Sequence, residues 1–170
     1  PTEEGDFSTT MNLYTNDPNN RLKTVALSGH VYEPNTLILN GQNNQDDTYT
    51  LSVALDNYTD IVAVQYDLHW RNDMTTSQSA FVPSARMQKH NAVVTPLDGD
   101  SYRIIIYSMS NAPIIDNEGE LHQLMFTPQG STDYCGDVLT IDNIVLSNAN
   151  GTDKTSQSTV SYHFPTKQYS

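Results

Sequence analysis

Histidines are the residues in this sequence that could most directly bind a metal ion. They are His30, His69, His90, His122 and His163. No two of them stand at i, i+2 on a strand or i, i+4 on a helix, the spacings that direct two imidazoles to one ion. Asp67 and His69 share one predicted strand face and could form a metal ligand and its supporting carboxylate, but a solvated polar face explains the pair more simply. We therefore predict no histidine metal site.

Catalysis by an activated serine or by paired carboxylates is not indicated by the sequence. It contains no Gly-x-Ser-x-Gly elbow, the turn that exposes a nucleophilic serine. Most of its twenty Asp and Glu residues fall in predicted turns, where they serve backbone geometry and do not pair across a sugar-cleaving site. We predict no catalytic residues and expect that the protein is not an enzyme.

Calcium is the one cofactor for which the acidic residues of this sequence offer candidate ligands. Asp116, Glu118 and Glu120 lie close together in an oxygen-rich run, and residues 44–47 (Asn-Gln-Asp-Asp) form a second run. A calcium ion needs six to eight oxygen ligands, which separate loops often supply together. Neither run has the ligand spacing of an EF-hand, so turn chemistry is the favoured explanation.

Composition excludes several classes of partner. The chain has 170 residues, of which 36% are hydrophobic, and its formal charge is −12. Such a charge repels phosphate backbones and anionic membrane surfaces, so we predict no nucleic-acid partner. The apolar runs are far too short to cross a bilayer, so no membrane insertion is expected. The single cysteine, Cys135, excludes an internal disulfide and a thiolate-rich metal site.

Alternation of apolar and polar residues dominates the chain and predicts strands rather than helices. In the run from Ile61 to Trp70, one face carries Ile61, Ala63, Gln65, Asp67 and His69, and the other, predicted core face carries Val62, Val64, Tyr66, Leu68 and Trp70. Further strands are predicted at 36–39, 49–55, 92–95, 101–107, 121–127, 138–146 and 158–164. We expect a loop at 40–47 and a short helix or irregular crossover at 77–89. Strands about ten residues apart without helices between them predict an antiparallel sandwich.

The first thirty residues predict a separate β-hairpin. Two alternating strands flank an Asp17-Pro18 turn, and Leu13, Val25 and Leu27 fall on one face. A two-stranded ribbon leaves backbone groups unpaired and this apolar face uncovered. We expect the hairpin to pack on the following domain or to form a dimer with the same segment of a second molecule.

The same segment resembles a known repeat. Gly5–Phe7, Leu13–Pro18 and Thr24–Gly29 resemble the last two strands of immunoglobulin-like repeats of the Hydin and abnormal-spindle type. The resemblance implies that residues 1–33 are the C-terminal hairpin of a truncated upstream immunoglobulin-like domain, with a boundary near residues 33–35.

Residues 36–164 resemble cohesin-like domains of secreted, multi-modular bacterial proteins. The residues that carry the resemblance are Tyr49–Leu55, Ile61–Leu68, Arg103–Ser108 and Glu118–Phe126. It implies that residues 34–170 form an all-β, jelly-roll sandwich of about nine strands at the cell surface or in the extracellular space. It also implies a protein partner, which in this family includes dockerins, although the dockerin-binding residues of cellulosomal cohesins do not align here.

The sequence therefore predicts a non-catalytic module for protein–protein attachment or scaffolding, and the alternative is a carbohydrate-binding module of similar architecture that binds a polysaccharide. The predicted binding residues are Gln65, Asp67, His69, Trp70 and Tyr107. The two functions differ in the surface that they need. Sugar binding predicts exposed coplanar aromatic rings, whereas protein binding predicts a broad, flat patch of mixed polarity.

Overall fold

Hydrophobic alternation along the chain produces two separate units of antiparallel β-structure. In the computed structural model, the described residues are 5–31, 35–44, 48–71, 73–98, 100–130, 137–155 and 157–164. The chain divides into Pro1–Glu33 and Pro34–Ser170. Cys135, Gly99 and residues 45–47 of the second acidic run lie outside the described residues.

The first unit is a hairpin of two ten-residue strands. Strand β1 (Gly5–Tyr14) pairs with β2 (Leu22–Val31) without a break in register. The turn between them is closed by Asp17, whose carboxylate accepts a hydrogen bond from the backbone N–H of Asn19 at 2.8 Å. The predicted hairpin is therefore present, and its relation to an immunoglobulin-like repeat stays a prediction.

The second unit is a two-layer antiparallel sandwich, as predicted. Its strands are β3 (Thr36–Asn43), β4 (Tyr49–Asp56), β5 (Ala63–His69), β6 (Met74–Thr75), β7 (Phe81–Pro83), β8 (Asn91–Pro96), β9 (Ser101–Tyr107), β10 (Glu120–Pro128), β11 (Val138–Ser147) and β12 (Val160–His163). One sheet has the order β3-β4-β10-β6, with β7 also paired to β10. The other sheet has the order β12-β11-β5-β9-β8.

The core lies between the two sheets and consists of the inward residues of each strand. All five residues of the predicted core face, from Val62 to Trp70, are buried. The Trp70 ring lies in an aromatic cluster: it stacks on Phe164 with ring centroids 5.0 Å apart and meets Tyr49 and Phe126 edge to face. Burial of such large rings contributes strongly to the stability of a small sandwich.

A polar pair is also buried in this core. His122 on β10 is fully buried and shares a 2.6 Å hydrogen bond with the Tyr66 hydroxyl of β5. Its ring also stacks on Phe81 at a centroid distance of 4.4 Å. Burial lowers the pKa of His122 to about 4, so the imidazole is neutral near pH 7. Burial likewise raises the pKa of the Tyr66 hydroxyl.

One predicted segment differs from the structure, and a second takes a form that the sequence left open. The prediction of a loop at 40–47 is wrong for residues 40–43, because these residues continue β3 and pair with β4. The polar side chains there misled the prediction, since β3 lies at the edge of its sheet and its outward residues face solvent. Residues 77–89 form two single 3₁₀ turns, Gln78–Ala80 and Ala85–Met87, on either side of β7. No helix among the described residues is long and apolar enough to cross a bilayer.

Candidate functional site

The outward surface of the sheet β12-β11-β5-β9-β8 brings together four of the five predicted binding residues. Strand register places Gln65 between Val145 of β11 and Ile105 of β9, and Ile105 faces Val93 of β8. We call this surface the Gln65 face. Its central row is mainly apolar: Val93 is 40% exposed, and the other three residues are half-buried.

The next row of the Gln65 face is centred on a buried carboxylate. Asp67 accepts two hydrogen bonds from the Arg103 guanidinium, both at 2.7 Å, and one from the Asn143 side-chain amide at 2.8 Å. These partners explain why Asp67 is only 3% exposed although its side chain points outward. The hydrogen bonds from Arg103 are the main reason that the pKa of Asp67 is lowered, and Asn143 adds to the effect.

Asn143 reaches Asp67 because β11 contains a bulge. The register between β11 and β5 shifts between Asp142 and Val145, and Asn143 adopts a positive φ of 48°. An extra residue in one strand locally turns a side chain in a new direction, and asparagine tolerates this backbone conformation better than most residues. The bulge therefore adds a third hydrogen bond to the Asp67 carboxylate.

His69 has both ring nitrogens engaged by neighbouring strands. Its Nδ1 is 2.8 Å from the Ser101 hydroxyl, and its Nε2 is 3.0 Å from a carboxylate oxygen of Asp142. Asp67 and His69 therefore have separate partners and do not converge on a shared position. Within the described ranges, no group of three or more His, Cys, Asp or Glu side chains is arranged to hold a metal ion.

The two predicted aromatic binding residues lie in different environments. Tyr107 is half-buried on the Gln65 face, opposite Ala63 of β5 and Asn91 of β8. Trp70 is only 5% exposed, and its ring belongs to the core cluster with Phe164. The Trp70 ring is therefore not part of this surface, because the alternation of β5 directs it between the sheets.

The calcium candidates lie in a loop that an arginine organises. The Arg86 guanidinium is buried and donates hydrogen bonds to five oxygens: the backbone carbonyls of Leu55, Ile115, Asp116 and Gly119 and the side-chain carbonyl of Asn57. These oxygens converge as they would around a cation, and a positive side chain already occupies their centre. Burial lowers the pKa of Arg86, and the nearby carboxylates of Asp116 and Asp56 act in the opposite direction.

The acidic side chains of the same loop do not converge on one point. Asp116 and Glu118 are exposed. The Glu120 carboxylate instead accepts hydrogen bonds from the Ser52 hydroxyl and from the Gln123 amide. The calcium hypothesis for residues 116–120 is therefore not supported by this arrangement, because the oxygens that could surround an ion are divided among Arg86, Ser52 and Gln123.

Several residues of the Gln65 face were missed by the sequence analysis. Arg103 and Ile105 could have been found, because the predicted strand 101–107 places them on the same face as Tyr107. Asn143 could not, since a bulge leaves no clear pattern in the sequence. Arg86 fell in the segment for which a short helix or an irregular crossover was predicted.

Known proteins are similar to this chain in fold and not in sequence. No family model matches the chain, and no curated protein matches it. Among solved structures, it is similar to a cohesin module from a family 33 glycoside hydrolase of Clostridium perfringens, with a TM-score of 0.60 and 10% sequence identity. That match covers 79% of this chain and 98% of that chain.

Two further structures give the same result. A non-cellulosomal cohesin from the archaeon Archaeoglobus fulgidus has a TM-score of 0.57 and 15% identity and covers 77% of this chain and 91% of that chain. A type II cohesin from Acetivibrio cellulolyticus, solved in a cohesin–X–dockerin complex, has a TM-score of 0.55 and 9% identity and covers 72% of this chain and 92% of that chain. The sandwich therefore has the cohesin fold.

Proposed function

We propose that residues 34–170 form a non-catalytic attachment or scaffolding module of a secreted or cell-surface bacterial protein, and that the Gln65 face binds another protein. The observation that carries the proposal is the composition of this face. Its central row is mainly apolar, and the charged groups beside it are already paired with one another.

A surface of this kind suits a protein partner for a physical reason. Covering an unpaired charge is costly, but Asp67 is bonded to Arg103 and Asn143 before any partner arrives. Covering Val93, Ile105 and Val145 removes apolar area from water at little polar cost. The outward side chains also lie on a rigid sheet, so binding requires little ordering of the surface.

The size of the Gln65 face indicates that a partner also contacts the loops beside it. Four strands spaced by about 4.8 Å, each about seven residues long, present roughly 400 Å². A standard interface buries about 800 Å² on each partner. The loop 108–112, where Met109 is 82% exposed, follows directly after Tyr107 at one end of β9 and could extend the contact.

Fold similarity supports the choice of partner class. One cohesin with this fold was solved in complex with a dockerin-bearing partner. We therefore propose a dockerin-like protein as the partner of the Gln65 face. A carbohydrate-binding module remains the alternative, in which Tyr107 would be the aromatic residue that this surface offers to a sugar.

The test compares matched substitutions on the two sheets. The wild-type chain is titrated calorimetrically against a panel of dockerin modules and screened on a glycan array. The Val93→Lys variant introduces a charge on the Gln65 face, whereas Val82→Lys introduces the same charge at Val82 of β7, which is 57% exposed on the other sheet.

The proposal predicts dockerin binding that Val93→Lys weakens at least about tenfold, as expected when a charge enters an apolar contact, while Val82→Lys binds normally. Equal binding by both variants would place the contact elsewhere on the molecule. Glycan binding without any protein binding would replace the proposal with the carbohydrate alternative.

A further inference from the structure

We propose that the hairpin unit associates with the hairpin of a second copy of this chain by packing the two apolar ribbon faces together. The proposal is independent of the function proposed for residues 34–170. It rests on three properties of the ribbon formed by β1 and β2: the composition of one face, the shape of that face and the charge of the segment.

The first property is the largely apolar composition of one ribbon face. This face carries Phe7, Met11, Leu13, Val25, Leu27 and Val31, together with Thr9 and Lys23. Phe7, Met11, Leu13 and Leu27 are between 36% and 45% exposed. The opposite face is mainly polar, with His30 bonded to Asp6 at 2.7 Å and Thr24 bonded to Asn12 at 3.0 Å, and it ends beside the turn in Tyr14 and Leu22. Two-stranded ribbons with one bare apolar face are marginally stable in water and gain stability when that face is covered.

The second property is a projection beside a notch. Phe7 lies directly opposite Gly29 in the register, so a large ring stands next to a position without a side chain. A Cβ atom built on Gly29 would meet no other atom within 4 Å, and Phe7, Leu27, Gly29 and Val31 line a shallow groove there. A surface that carries both a projection and its recess can pair with itself about a two-fold axis. The Phe7 ring of each copy then fills the notch at Gly29 of the other.

The third property is the absence of net charge in the ribbon. The whole chain carries a formal charge of −12, which opposes self-association. Within residues 5–31, however, Asp6 and Asp17 are balanced by Arg21 and Lys23. Among the paired residues of β1 and β2, the packing face carries one charged residue, Lys23, in each copy. Charges farther away are screened beyond about 8 Å at physiological salt.

The area available makes the predicted association weak and reversible. Ten residues of strand are about 34 Å long, and two strands are about 10 Å wide, so each face offers roughly 350 Å². This is less than half of the roughly 800 Å² per partner of a standard interface. We therefore expect a concentration-dependent dimer in place of a permanent one.

The experiment is sedimentation velocity of the full chain over a wide concentration range. Four proteins are compared: the wild type, Phe7→Asp, Gly29→Val and Thr10→Asp. Thr10→Asp is the matched control, because it adds the same charge to the polar face of the same strand. Gly29→Val fills the notch with a residue that favours strands, so the hairpin itself is not weakened. Amide hydrogen exchange of residues 5–31 checks that each hairpin is formed.

We expect the wild type and Thr10→Asp to dimerise with equal affinity. The Phe7→Asp variant should dimerise at least about tenfold more weakly, because it loses one buried aromatic contact. We also expect Gly29→Val to weaken the dimer. A stronger dimer in Gly29→Val would mean unspecific apolar association and would overturn the fit of Phe7 into the notch. A wild-type chain that stays monomeric throughout would overturn the proposal and leave the face to a different occupant.

Discussion

Single side chains decide how two polar regions of the sandwich are organised. Arg86 gathers four backbone carbonyls and one side-chain carbonyl, and Asp67 gathers an arginine and an asparagine. In both cases a buried charge is stabilised by hydrogen bonds from several strands and loops. Removing the central group therefore leaves several partners unsatisfied at once, which is more costly than the loss of one bond.

The Arg86→Met variant tests whether an arginine replaces a metal ion in the loop 115–119. We expect the free energy of unfolding to fall by about 3 kcal/mol, because several buried carbonyls lose their donor. Arg86→Lys keeps the charge but not the geometry of the guanidinium and should recover only part of the loss. Chemical denaturation measures both variants. Destabilisation of the wild type by a chelator would contradict this assignment.

The Arg103→Gln variant tests the origin of the lowered pKa of Asp67. A carboxyl whose pKa is lower in the folded than in the unfolded chain contributes stability above about pH 4 and loses it as the pH falls further. Since the Arg103 side chain is 39% exposed, solvent screens part of the interaction, and we expect only a modest loss of stability at pH 7.

Denaturation of Arg103→Gln at a series of pH values between 7 and 3 should also show a smaller further loss below about pH 4 than the wild type does, because the pKa of Asp67 returns toward its ordinary value. Arg103→Lys serves as the control that retains the positive charge. Identical acid dependence in Arg103→Gln and the wild type would show that Arg103 does not set the protonation of Asp67.

At the scale of the strand, contacts between β3 and β12 join the edges of the two sheets. The Tyr162 hydroxyl of β12 donates a hydrogen bond to the backbone carbonyl of Gly41 on β3 at 3.2 Å. Nearby, Gln157 accepts a hydrogen bond from the backbone N–H of Leu37 at 2.7 Å and donates one to its carbonyl at 3.3 Å. These bonds use backbone groups of an edge strand that would otherwise be open to pairing with another chain.

The Gly41→Ala variant tests this junction. A Cβ atom at position 41 would overlap the Tyr49 hydroxyl and lie 2.7 Å from the Tyr162 ring. Both rings must move, and we expect a loss of about 1–3 kcal/mol, as is typical of overpacking. Thermal unfolding measures the effect, with Gly130→Ala as the control, because there the nearest atom to the new Cβ is 3.6 Å away. Equal melting temperatures for the two variants would argue against close packing at Gly41.

Sequence patterns predicted the strands well wherever one face of a strand is buried. The alternation from Ile61 to Trp70 and from Ser101 to Tyr107 identified β5 and β9 and their inward residues, because burial constrains every second position. The patterns failed at Asn40–Asn43 of β3, where the strand is defined by backbone pairing. The bonds of Asp67 to Arg103 and Asn143 depend on register and on a bulge, neither of which the type of residue specifies.

For the molecule as a whole, the sandwich and the hairpin differ in the source of their stability. The sandwich has a closed core in which even a histidine is fully buried, whereas every residue described in the hairpin is exposed or half-buried. Global unfolding of the sandwich must therefore expose His122 to water, and its protonation becomes linked to the stability of the entire second unit.

The His122→Gln variant tests this linkage. The pKa of His122 is about 4 in the folded chain and near 6.5 when exposed, so the neutral ring stabilises the fold above pH 6.5 and this contribution is lost as the pH falls toward 4. We expect the wild type to lose about 1.2 kcal/mol more than His122→Gln between pH 6 and 5. Glutamine can still bond Tyr66 but does not titrate. Parallel curves for the two proteins would show that His122 does not carry the effect.

The position of the single tryptophan gives this protein its own optical reporter. Trp70 is stacked on Phe164, the residue that follows the last strand, and packs against residues of the opposite sheet. Its emission should shift to longer wavelength when the C-terminal segment detaches, before or together with separation of the sheets. The hairpin residues 5–31 contain no tryptophan, so this emission comes from the sandwich alone. Fluorescence and far-ultraviolet circular dichroism recorded together would thus distinguish melting of the hairpin from melting of the sandwich without any added label.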